Sequence, residues 1–167
     1  KAQPPTIVGE DWDSLEGKVA KVLLADQLFR SCFRGTSEAF SYDQIGKKLV
    51  RELVSAELIE ETLKLPAALL YLLPWALAHS EDLEDLDYAR ELIDKAAASS
   101  TSFSLFSCRN RRAVEQHRQV LEKFGRYPHR NKQFGRNNTS EEQAWLDDTE
   151  NLPVWAGGKL SSEEDIT

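Results

Sequence analysis

Residues 65–78, LPAALLYLLPWALA, are the longest run without a charged side chain in this 167-residue sequence. These fourteen residues fall short of the roughly 20 that a membrane-spanning helix needs. Leu69, Leu70, Leu72, Leu73 and Leu77 would cover nearly every side of a helix, the mark of one buried among others. Pro66 suits its first turn, and Pro74 is expected to kink it or split it in two. On the N-terminal side, Ser14 can cap a helix with Leu15, Val19, Val22, Leu23 and Phe29 near one face, ending around Cys32. Thr36 or Ser37 then opens a helix with Phe40, Ile45, Leu49 and Leu53 as its stripe, and a shorter segment holds Leu58, Ile59 and Leu63. On the C-terminal side, Ser80 caps a helix through Leu83, Leu86, Ala89, Leu92, Ile93 and Ala96. Residues 99–107 read as a Ser/Thr-rich loop, with Phe103, Leu105 and Phe106 docked on the body. A helix from Arg109 to Phe124 keeps Val114, His117, Leu121 and Phe124 in register until Gly125 stops it. An irregular loop follows to residue 138, then Thr139-Ser140-Glu141-Glu142 forms a capping box for a last helix through Trp145 and Leu146. No strand pattern survives, so the class is all-α. The domain expectation is an extended lead-in over 1–13, one helical domain over 14–150, and a flexible acidic tail over 151–167 unless something holds Trp155.

The net charge of −7 conceals an uneven layout. Residues 109–136 carry 9 basic and 2 acidic side chains, whereas residues 141–167 carry 1 basic and 8 acidic. An acidic body disfavours general nucleic-acid binding, which rests on phosphate neutralisation. The basic block suits one anionic partner or the protein's own carboxylates; RNA contact through it is the weakest reading. Cys32 and Cys108 make neither a disulfide framework nor a zinc set, so a reducing compartment is expected. The first residue is Lys1 and no Met is present, which leads to the expectation of a removed leader or a start inside a longer precursor. The chain is expected to be intracellular and soluble, in a plastid or mitochondrion after loss of a transit peptide, or otherwise in the cytoplasm. With no transmembrane segment, it could at most sit peripherally on a membrane-bound complex.

Three stretches carry a family resemblance. Leu23-Leu24-Ala25-Asp26-Gln27-Leu28-Phe29-Arg30, with Phe33-Arg34-Gly35-Thr36, Ala39-Phe40 and Asp43, resembles "LLDQFPRN…RGT…AF…D", with Phe29 where Pro is usual. His79-Ser80-Glu81-Asp82-Leu83 is similar to "LPxMHSEDL", although Pro74 stands two residues farther from the His. Most specific is His117 followed by Phe124-Gly125-Arg126-Tyr127-Pro128-His129-Arg130-Asn131, Gly135-Arg136, Glu141-Glu142 and Leu146, which resembles "H…FGRFPHRN…LGR…EE…L". Across roughly residues 12–147 the chain resembles the bacterial-type domain of unknown function 924 family. The resemblance implies antiparallel helix pairs in a tetratricopeptide-like array, an arrangement that no repeat in the sequence displays. It also implies an aromatic-rich helical segment before the first helix. None is present in this sequence, so a partner is one candidate to cover that face.

Asp26 and Arg30 share a helix face at four residues' spacing, and Arg34 follows just past the helix end. The 125–136 loop gathers Arg126, His129, Arg130, Asn131 and Arg136, which would satisfy helix carbonyls and carboxylates such as Asp26, Glu81 and Asp82, or clamp an anion in forked geometry. His79 with Glu81 and His129 offers acid/base or metal chemistry, yet His79-Ser80-Glu81 also begins a helix. His117 reads as a satisfied core histidine. No Gly-rich phosphate loop, His-Glu-x-x-His or Gly-x-Ser-x-Gly is present, so no catalytic residue, metal or cofactor is assigned. Two functions follow. The first is a helical interaction module or accessory subunit that docks a protein partner or larger complex and leaves an apolar patch beside the first helix. The alternative is a small enzyme or anionic-ligand binder using a pocket of Asp26, Arg30, Arg34, His79, Glu81, Arg126, His129, Arg130, Asn131 and Arg136.

Overall fold

The computed structural model describes residues 10–159, and within them every regular element is helical. The elements are α1 (Glu10–Asp13), α2 (Leu15–Leu23), α3 (Phe29–Cys32), α4 (Asp43–Leu53), α5 (Ile59–Thr62), α6 (Ala67–Ala78), α7 (Leu83–Ser99), α8 (Thr101–Phe124) and α9 (Ser140–Asp147). The centre is α6, packed against α2, α4, α7 and α8. Its Leu70, Leu73 and Leu77 are fully buried, which is why its sequence shows no polar face. Pro74 does not split it: α6 runs unbroken through the proline, held by neighbours on several sides. Asn110 of α8, itself buried, donates to the Tyr71 carbonyl at 3.1 Å and ties α8 to α6.

Four local expectations are corrected. The lead-in is not extended to residue 13, because Glu10–Asp13 forms a helical turn; residues 1–9 lie outside the described part. Residues 101–107 are helix, not loop. A single residue, Ser100, separates α7 from α8 and caps the latter by accepting from the Phe103 amide at 3.2 Å, while the Phe103 ring is buried in the core. Leu105 does not dock but stands 75% exposed. The cap of α7 is Asp82, which accepts from the Glu84 amide; Ser80 is buried and meets Lys47 instead. Thr36 makes no side-chain cap, and residues 37–40 form a 3-10 turn ahead of α4.

The first long helix also hides a π turn, Leu24–Leu28, between α2 and α3. A π turn adds a residue to the helical circuit and rotates everything after it. Val19 and Val22 before it are buried, whereas Leu28 at its end and Phe33 after it are 49% and 42% exposed. At the other end of the chain, Gly125 takes φ +68° and stops α8 as a left-handed cap. Thr139 and Glu142 close a reciprocal capping box on α9.

Candidate functional site

The loop after α8 is pinned by its own side chains. Tyr127 is fully buried; its hydroxyl donates to the Ala78 carbonyl at 2.7 Å and its amide donates to Glu81 Oε1 at 2.9 Å. Arg136 grips both oxygens of Glu81 at 2.7 and 2.8 Å. Arg126 does the same to Glu142 at 2.6 and 2.8 Å, and Asn131 donates to that carboxylate and to Asn138. The Arg126 hydrogen bonds hold the Glu142 carboxyl down at about 2. Much of the basic block is likewise spent internally: Arg111 pairs with Asp94, Arg118 with Asp87 and Glu122, and Lys123 with Glu141.

A second set of polar side chains surrounds a recess of about 320 Å³. Asp26, on the π turn and 2% exposed, accepts from His79 Nδ1 at 2.6 Å and Arg30 Nε at 3.0 Å on one oxygen, and from Gln27 at 2.6 Å on the other. Arg30 continues to Asp43 at 2.6 Å, and Arg130 reaches Asp43 at 3.5 Å and the His79 carbonyl at 2.8 Å. The guanidiniums of Arg30 and Arg130 both lie over the Phe40 ring. Arg34 stands exposed at the edge with no partner among the described residues.

Burial pushes Asp26 up, but its His79 and Arg30 partners outweigh that and hold it ionised well below the usual carboxylate range. Burial dominates at Asp43, whose carboxyl is raised despite Arg30 and Arg130. Burial likewise lowers His79, with Asp26 opposing it, so the imidazole is neutral near pH 7. His117 and His129 are each pushed down to about 3, mainly by burial. Arg130 is lowered to about 10 by burial and by the neighbouring Arg30.

Of the expected residues, Arg30, Arg34, His79, His129 and Arg130 line the recess, and Asp26 lies behind it, bonded to His79 and Arg30. Glu81, Arg126, Asn131 and Arg136 stand apart as the loop's clamp. No arginine of the loop reaches Asp26; Arg130 goes to Asp43 instead. Asp82 serves as the α7 cap. The sequence signalled Asp43 only as part of a family-like stretch and gave no sign of its partners. His117 is buried and bonded to the Ala113 carbonyl, as a core histidine would be, yet it also forms part of the recess wall. Trp155 lines the recess too, stacked on His117 at 3.9 Å and 15°. It lies in a 3-10 turn, residues 154–156, so part of the expected loose tail is held; residues 160–167 lie outside the described part. A further buried cluster went unforeseen: Asp85, fully buried between Lys47 at 3.0 Å and Arg51 at 2.6 Å. Among the described residues no group of three or more His, Cys, Asp or Glu side chains is placed to hold a metal, and no helix is long and apolar enough to cross a membrane.

No curated protein matches the chain. It is similar in structure to a protein of unknown function from Agrobacterium tumefaciens, with a TM-score of 0.65 and 26% identity over 83% of this chain and 72% of that one. The expected plastid or mitochondrial location draws no support from a family described as bacterial. With the family model matching residues 6–150, the chain belongs to the family described as bacterial protein of unknown function, DUF924.

Proposed function

We propose that the chain binds a small anionic compound, bearing a phosphate or carboxylate, in the recess between α3, α6, α8 and the loop after Gly125. The observation that carries this reading is unused donor capacity. Among the described residues Arg34, exposed at the rim, has no carboxylate partner, and Arg130 lines the same recess. Three guanidiniums there meet only two carboxylates, Asp26 and Asp43. The volume falls at the small end of ligand pockets. Calorimetric titration with inorganic phosphate and with citrate tests it. One-to-one saturation is expected, and Arg34→Ala should weaken it about tenfold, close to 1.4 kcal/mol. No saturable heat from either anion sinks the reading.

A second reading, the helical interaction module in a tetratricopeptide-like stack, rests on a different face. An apolar groove of about 580 Å³ runs beside the first helices between Leu24, Phe29, Tyr42, Ile45 and Leu49, with Lys21 and Lys48 at its rim. Phe33, stacked on Phe29 at 5.5 Å, extends it. An exposed apolar surface of this kind is where a partner protein would dock. If it does, gentle purification should yield a defined heavier species that Ile45→Asp abolishes; an identical mass for both forms would remove the reading.

A further inference from the structure

We propose that His79 is a general base of the recess, positioned by Asp26 so that its Nε2 meets an anion gripped by Arg34 and Arg130. The proposal rests on the anion-binding reading above and adds chemistry to it. Asp26 is fixed from three directions, by Gln27, Arg30 and His79 itself, so the carboxylate cannot turn away from the ring. The bond of 2.6 Å to Nδ1 puts the imidazole proton on that nitrogen and leaves the lone pair on Nε2. Among the described residues Nε2 has no hydrogen-bond partner and is not one of the buried, inaccessible atoms, and the ring lines the recess. A base within reach of its substrate, itself oriented by a buried carboxylate, is the arrangement that activates histidine in many enzymes. The other two histidines lack it: Nδ1 of His117 faces the Ala113 carbonyl, and Nδ1 of His129 has no partner.

Among the described residues no Ser, Thr or Cys side chain lines the recess, so the chemistry assigned to it is proton transfer and not a covalent oxygen or sulfur ester. The substrate class is a small carboxylate or phosphate compound with an acidic hydrogen. Nε2 takes the proton and the bonding pair stays on the substrate. The added negative charge faces Arg34 and Arg130, while Asp26 balances the imidazolium; returning the proton to the product restores the neutral ring.

Diethyl pyrocarbonate acylates unprotonated, accessible imidazole nitrogens, so the full chain can be tested without a known substrate. Peptide mapping should show His79 modified at least tenfold faster than His117 or His129, and saturating inorganic phosphate should slow His79 about tenfold. The groups facing His79 are Asp26 and Arg30 from the first helical stretch, Asp43 at the start of α4, His117 from α8 and Arg130 from the loop. Asp26 is the one that raises its basicity. Asp26→Asn should therefore move the pH midpoint of His79 modification down by about one unit, and Asp26→Glu should restore part of it. A purely structural Asp26 would leave that midpoint in place. If Asp26→Asn fails to fold, the unmodified chain still decides. Phosphate binding by calorimetry with a slow or unprotected His79 overturns this proposal alone. Absence of phosphate binding overturns the binding reading and this proposal with it.

Discussion

The loop after Gly125 feeds two arginine–carboxylate clusters that use the same chemistry to opposite ends. In the clamp, Arg136 and Arg126 each take both oxygens of one carboxylate, and Tyr127, Asn131 and Thr139 occupy remaining lone pairs of Glu81 and Glu142. In the recess, Arg130 meets Asp43 only at 3.5 Å, and Arg34 pairs with none of the described residues. The first arrangement turns both carboxylates to the loop and holds the fold, although Arg136 Nε and Asn131 Oδ1 are buried without a partner there too. The second keeps donors in hand. An accessible guanidinium left without a carboxylate, more than residue type, separates a structural ion pair from a place where something else can bind.

Acid should separate the two most strongly. His117 and His129 sit near 3 in the fold against 6.5 unfolded, so the unfolded chain binds more protons below pH 6.5 and stability declines as pH falls through that range. The expected loss from these two between pH 6.5 and 4.5 is about 4 kcal/mol, read from urea midpoints, with His79, lowered in the same sense, adding to it, and His129→Gln should remove about 2 kcal/mol. Glu142, depressed from 4.5 to about 2, and Glu81, lowered in the same sense, contribute only below that window, their share disappearing as pH drops from 4.5 toward 2. A flat midpoint from pH 6.5 to 4.5 would mean that the recess histidines are not buried neutral. Next in size, Glu81→Ala should cost about 3 kcal/mol in the same assay, because it strands Arg136 and the Tyr127 amide together. Arg34→Ala should cost less than about 0.5 kcal/mol of stability while still weakening phosphate binding. If instead it destabilises as much as Glu81→Ala does, the contrast between the clusters is lost. Smallest of the clamp effects, Thr139→Ala should remove about 1 kcal/mol by opening the capping box on α9.

The signals legible in the sequence were local ones. Gly125, the Thr139–Glu142 box and the all-round apolar α6 each declare themselves within a few residues, and Asp26–Arg30 is a one-turn spacing. Residues 101–107 misled because small hydroxyl side chains suggest a loop, whereas the burial of Phe103 and the Ser100 cap decide for helix. The recess drew its walls from five separate stretches, and nothing near Asp43, His117 or Trp155 announces the others. Trp155 in particular sits in an acidic, Pro/Gly-containing segment, and only its stacking on His117 gives it a place.

The π turn at Leu24–Leu28 lets one continuous helical rod keep two separate accounts of orientation. Upstream of it, side chains are timed to the bundle's interior; downstream, Arg30 is aimed at Asp43 and the recess. Substitutions within 15–23 should thus speak mainly through folding, and those within 29–34 mainly through what the pocket can hold. Shortening the rod by a single residue at that turn would re-phase its far half by about 100°, carrying Arg30 and Arg34 away together while leaving the near half seated.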